Sequence, residues 1–183
     1  MSRDWEYGLT LKLKDATQTH ALGEACGRVA RAGLVIALRG RLGAGKTTFV
    51  AGLAQGLGLP GFAKSPTFTL IEEHEGGRLP LYHIDLYRLG DKAEKELDLL
   101  DEYWFGEGVC AVEWAQLLED VLPDDRIDMH FIDSAAKETG TQELGDDGSD
   151  HQNRAESGRT VTLSAHGDAA LQTLQEWMTL WHY

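Results

Sequence analysis

The string Gly40-Arg41-Leu42-Gly43-Ala44-Gly45-Lys46-Thr47 fits G-x-x-x-x-G-K-[ST], the phosphate-binding P-loop, and nothing else in the sequence restricts the fold as much. Glycines let the backbone turn tightly and aim its N–H groups at phosphate oxygens with no Cβ in the way. The candidate nucleotide-binding set is therefore Gly40, Leu42, Gly43, Ala44 and Gly45 on the loop, with Lys46, Thr47 and Thr48 opening the next helix. Lys46 brings positive charge to the β- and γ-phosphates, and the Thr47 hydroxyl is a candidate Mg²⁺ ligand. A bare match also arises by chance in glycine-rich turns that hold nothing, so the flanks decide. Gly33 to Leu38 is an apolar run that reads as a buried strand. Phe49, Val50, Leu53, Ala54 and Leu57 then recur at helical spacing. Strand, glycine loop and helix is the setting the chemistry needs, because it puts a helix N-terminus under the phosphates.

The net charge narrows the partners. The 183 residues carry a formal charge of −13, against the basic surface that a broad nucleic-acid contact needs. If the chain serves an RNA pathway, a partner is expected to hold the RNA. Cys26 and Cys110 form no CxxC and sit in apolar segments, which reads as two buried thiols in a reducing compartment. Charges interrupt Met1 to Asp15, so no secretory signal is expected, and no apolar run approaches a membrane span. The expected location is the cytoplasm, with no membrane contact.

Along the chain, Tyr7 to Leu13 alternates weakly as a first strand, and Thr17 or Thr19 reads as the N-cap of a helix reaching about Arg31. After the P-loop unit, Thr67 to Glu75 and Leu79 to Tyr87 read as two strands joined at Gly76-Gly77, a hairpin. Asp91 to about Tyr103 is helical, Gly108 to Glu113 is a second buried strand, and Ala115 to Val121 is a short helix closed by Pro123. Strands at Arg126 to Ile132 and Arg159 to Ala165 precede a closing helix from Asp168 to Tyr183. Residues 134 to 156 hold six acids against two bases and one large apolar residue, Leu144. Such a segment buries too little to offset its ordering entropy and reads as a flexible acidic insertion between two strands. The whole, 1 to 183, is expected to form a single domain around that insertion.

Other residues are placed for chemistry. Hydrolysis needs a carboxylate at the end of a neighbouring strand to complete a Mg²⁺ shell, and Glu113 closes the run Val109 to Val112. Trp114 beside it packs over the site or belongs to the core. Thr67, in Lys64-Ser65-Pro66-Thr67-Phe68-Thr69, stands where nucleotide switches place a threonine on the metal or γ-phosphate. His83, Asp85 and Tyr87 share one face of a strand, which reads either as a site wall or as a solvent-facing edge strand. In the first case Asp85 orients the attacking water or a metal-bound water. Seven histidines show no zinc-type spacing, and His74 with His83 read as structural cross-strand neighbours.

Taken in order, LGAGKTTF (Leu42 to Phe49), KSPTFTL (Lys64 to Leu70), LYHIDLYRL (Leu81 to Leu89) and VEW (Val112 to Trp114) resemble the TsaE family, the bacterial P-loop ATPases of tRNA threonylcarbamoyladenosine (t6A) biosynthesis. The match runs from about Ala16 to Pro123 and more loosely beyond. The resemblance implies a P-loop NTPase fold of the α/β class: a mixed, mostly parallel sheet flanked by helices, with an inserted β-hairpin. It implies ATP and Mg²⁺ as cofactors and hydrolysis of the ATP. It also implies action with the TsaB and TsaD proteins, with tRNA reached only through that complex. By matching position, Lys46 and Thr47 take the phosphate and Mg²⁺ roles, Glu113 is the acid on the Mg²⁺ side, Asp85 and Trp114 match residues needed for activity, and Thr19 lies near the nucleotide. Arg41 stands where the family usually has Asp, and the insertion at 134 to 156 replaces a short hairpin connection.

Two other functions fit a P-loop chain. A small-molecule kinase should carry an arginine-bearing lid, and the one long loop here is acidic. A non-catalytic nucleotide sensor would use Asp85 and Glu113 only to shape its switch.

Overall fold

Two uninterrupted apolar runs set the middle of the molecule. They form β2 (Val35–Arg39) and β5 (Val109–Glu113), paired in parallel with Val35 opposite Cys110 and Leu38 opposite Glu113. Both are buried almost throughout, as strands covered on two faces must be. The computed structural model describes residues 7–61, 70–88, 97–133 and 158–181. The other strands are β1 (Tyr7–Leu13), β3 (Ile71–His74), β4 (Leu81–Asp85), β6 (Arg126–Asp133) and β7 (Arg159–His166), and the helices are α1 (Ala16–Val29), α2 (Lys46–Gly56), α3 (Leu97–Trp104) and α4 (Asp168–Trp181). One sheet joins them in the order β1-β7-β6-β2-β5-β4-β3. The central β6, β2, β5 and β4 run parallel. Antiparallel β7 and β1 extend one side and antiparallel β3 forms the other edge. The mixed sheet with its inserted hairpin β3–β4 is the architecture expected from the sequence.

Each face of the sheet has its own core. One packs Leu22, Phe49, Leu53 and Trp177, from α1, α2 and α4, against Ile36, Leu38, Met129 and Leu163. The other sets Leu100 and Trp104 of α3 against Val35, Ala37, Ile84 and Val112. Helices α1 and α2 meet closely because both present glycine at the seam. A Cβ at Gly23 would stand 2.1 Å from the Phe49 carbonyl oxygen, and one at Gly52 would stand 1.9 Å from that of His20. This contact fixes the helix that opens on the P-loop.

Several elements differ from the sequence reading. Helix α1 starts earlier than Thr17 or Thr19 would start it. Its N-cap is Asp15, whose carboxylate accepts the Gln18 N–H at 2.8 Å. Thr19 is instead buried inside the helix, its hydroxyl donating to the Asp15 carbonyl at 3.1 Å. The edge-strand reading of His83, Asp85 and Tyr87 is overturned, since β4 lies between β5 and β3 and the edge is β3. Tyr87 lies beyond β4, in the 3₁₀ turn Leu86–Arg88. The short helix expected at Ala115–Val121 is present with those bounds, in 3₁₀ form with a break at Leu118. Thr67, the start of the expected helix at Asp91, and the insertion at 134 to 156 lie outside the described residues.

Candidate functional site

The loop between β2 and α2 bends through backbone conformations that L side chains rarely adopt. Gly43 has φ 75° and Gly45 has φ 113°, in the region that favours glycine. Gly45 is also the N-cap of α2 and has no side chain to cap it. The first amides of α2 therefore point out of the helix end with no side-chain acceptor. Lys46 is 4% exposed and folds back onto the loop, donating to the Gly40 carbonyl at 2.8 Å and the Arg41 carbonyl at 2.9 Å. Burial pulls its pKa below the ordinary lysine value, while Glu113 and Asp85 oppose that shift.

Glu113 stands at the carboxyl end of β5, between Leu38 of β2 and Asp85 of β4. This is the crevice side of a parallel sheet. Its carboxylate is nearly buried and accepts the Thr47 hydroxyl, at 2.8 Å to Oε1 and 3.1 Å to Oε2. His83, fully buried on β4, places Nε2 3.0 Å from Oε1 of the same carboxylate. Asp85 accepts the Tyr87 backbone N–H at 3.1 Å through Oδ1, which turns its side chain at the strand end.

Trp114 follows Glu113 with φ 62° and ψ 35°, the one non-glycine residue with positive φ among those described. Such a conformation costs about 1–3 kcal/mol and persists where surrounding contacts enforce it. Here the indole lies under the Lys46 ammonium, 4.1 Å from Nζ to the ring centroid, and against Tyr87 at 4.8 Å between centroids. The turn aims the ring back at the loop.

These residues enclose a cavity of about 290 Å³. Leu42, Gly43, Gly45, Lys46, Thr47, Thr48, Asp85, Glu113 and Trp114 line it, joined by Tyr87, which the site-wall reading grouped with Asp85. Gly40 and Ala44 sit behind the lining, with a Cβ at Gly40 coming 3.4 Å from that of Ala44. The Thr19 methyl packs against Gly45, 3.4 Å from where a Cβ would stand.

Sequence reasoning missed two residues. The sequence puts His83 on a candidate site wall and pairs it structurally with His74, but gives no sign that it holds the Glu113 carboxylate. Arg159, at the start of β7, brings its Nε to 3.3 Å from where a Gly45 Cβ would stand. Its Nη1 is buried and makes no hydrogen bond among the described residues. An arginine opening a strand has no sequence signature that separates it from a surface charge.

The donor set fits a polyphosphate with a hard cation. Lys46 and the uncapped amides of α2 are donors around a loop without Cβ atoms at Gly43 and Gly45, and the Arg159 side chain adds positive charge beside Gly45. Thr47 and Glu113 present only oxygen, and oxygen is what Mg²⁺ takes.

Comparisons with known proteins agree on one relationship. Residues 13–142 match the family model described as threonylcarbamoyl adenosine biosynthesis protein TsaE. The chain is 51% identical over 111 residues to the tRNA threonylcarbamoyladenosine biosynthesis protein TsaE of Bacillus subtilis, covering 60% of this chain and 68% of that one. Against the protein of the same name from Synechocystis, identity is 43% over 117 residues, 62% of this chain and 74% of the relative. A crystal structure of Bacillus subtilis YdiB superposes with a TM-score of 0.69 at 34% identity, covering 95% of this chain and 96% of that one.

Proposed function

The chain belongs to the TsaE family, and from that premise we propose that it binds ATP with Mg²⁺ and hydrolyses it in support of t6A formation in tRNA, together with TsaB and TsaD. The observation that carries the reading is the Thr47–Glu113 contact at 2.8 Å, set beside the Lys46 ammonium in one cavity. A hydroxyl and a carboxylate that already touch are preorganised to share one cation.

Each residue then has a role. The loop amides and Lys46 receive the phosphates, and Lys46 exchanges its two carbonyl partners for phosphate oxygens. Thr47 and Glu113 would hold the metal, and Mg²⁺, when bound, neutralises charge that develops on the β- and γ-phosphate oxygens. Asp85, at the strand end beside Glu113, orients the attacking water. His83 is a positioning residue that fixes the Glu113 carboxylate. Trp114 and Tyr87 wall the pocket. Thr67, outside the described residues, is expected to complete the γ-phosphate contacts. No helix among the described residues is long and apolar enough to cross a membrane, which is compatible with work in the cytoplasm. Family membership does not favour the kinase alternative.

The test is complementation. In bacteria depleted of their own family member, the chain should restore t6A in tRNA nucleosides measured by mass spectrometry, and Lys46→Ala should not. Equal restoration by the variant would refute the reading.

A further inference from the structure

The hairpin β3–β4 carries a second group of potential ligands that the nucleotide site does not use. Glu72 lies directly opposite His83 in the antiparallel register, and His74 lies two residues further along β3, on the same face as Glu72. One ligand atom from each of Glu72, His74 and His83 falls within 4.8 Å of the others. His74 Nε2 is 3.5 Å from Glu72 Oε2. None of the three is an exposed side chain, and His83 is fully buried. The spacing in sequence conceals the group, because its members come from two strands.

Two imidazoles and one carboxylate form a donor set for Zn²⁺ and its chemical neighbours, with a fourth position left for water. Magnesium prefers oxygen and has its own candidate pair at Thr47 and Glu113. The second shell also fits. Metal-bound imidazoles commonly give their other N–H to a carboxylate, which fixes tautomer and ring orientation. His83 already holds Nε2 3.0 Å from Glu113 Oε1.

We propose that Glu72, His74 and His83 form a transition-metal site of the Zn²⁺ class on the edge hairpin, with His83 joining it to Glu113 of the nucleotide pocket. In this arrangement His83 ligates through Nδ1 and its Nε2–H donates to Glu113. The bound cation polarises that N–H, so the site and the pocket share one carboxylate.

The full-length chain, stripped with chelator, is titrated with Co²⁺ while the visible ligand-field absorption is followed, and Zn²⁺ is then used to displace it. The expected result is one equivalent with the intensity of a four-coordinate site, displaced by Zn²⁺ and unaffected by excess Mg²⁺. His74→Ala and Glu72→Gln should each weaken Co²⁺ affinity at least tenfold with an unchanged circular dichroism spectrum. Glu113→Gln should weaken it by about ten- to a hundredfold as an outer-shell change. Absence of the absorption, wild-type affinity in both hairpin variants, or displacement by Mg²⁺ would overturn the site. Wild-type affinity in Glu113→Gln would overturn its link to the pocket.

Discussion

Replacing Glu113 with Gln tests the site at its most connected atom. The amide keeps the size of the side chain and offers one acceptor and one donor group. The Thr47 hydroxyl can still donate to it, and His83 can accept from it in its other tautomer. What is lost is charge. Charge-assisted hydrogen bonds are about twice as strong as neutral ones, so two of them together lose about 2 kcal/mol. The lighter desolvation of a neutral amide offsets part of this. The variant should therefore fold, with stability within about 2 kcal/mol of the parent in chemical denaturation. Hydrolysis should suffer more, by roughly a hundredfold, or about 2.7 kcal/mol of barrier, as when one electrostatic catalytic group is removed. Nucleotide titration separates the parts. Affinity measured without Mg²⁺ should persist, and the gain on adding Mg²⁺ should vanish. Unchanged single-turnover hydrolysis would refute the argument and pass the acidic role to Asp85. An equal loss of affinity with and without Mg²⁺ would instead mean that Glu113 supports the loop itself.

Lys46→Ala deletes the cation at the loop and should remove most ATP affinity with or without Mg²⁺, as read by a fluorescent nucleotide analogue. Gly52→Ala forces a Cβ to within 1.9 Å of the His20 carbonyl oxygen and should cost about 3 kcal/mol in denaturation. Gly8→Ala, where nothing lies within 4 Å, is its control and should change stability by about 0.5 kcal/mol or less. Replacing residues 137 to 156 with a short Gly-Ser linker should leave the melting temperature nearly unchanged, because the flanking residues Asp133 and Arg159 already pair and loop-closure entropy depends weakly on length.

The P-loop unit was legible because everything that defines it is local: an apolar run, glycines at fixed offsets and a helical repeat. Glu113 was legible for the same reason, as the residue that closes a buried run. His83 was not, because its role depends on β4 lying next to β5, a neighbour about thirty residues away whose register no local pattern reveals. The glycines of α1 and α2 read as weak helix formers, and their use appears only when the two helices are brought together. The N-cap was misread because Thr17 and Thr19 lie nearer the apolar positions, although Asp15 with Gln18 three residues on was the stronger signal. The left-handed Trp114 had no sequence signal, since β5, the Lys46 ammonium and Tyr87 together hold it.

The central claim is that this pocket hydrolyses ATP under the control of partners. Lys46 lies on the loop and the Arg159 side chain stands beside Gly45, and the sequence offers no evident internal arginine finger. A positioned switch threonine and an in-line water supply much of the positional advantage of such an enzyme, and the partners are the proposed source of both. The direct measurement is steady-state phosphate release at saturating ATP and Mg²⁺, by the chain alone and with TsaB, TsaD and tRNA added. The account predicts turnover well under about one per second alone, in the range of unassisted P-loop switches, and a clear rise with the assembly. Rapid turnover by the lone chain that the assembly does not change would contradict it.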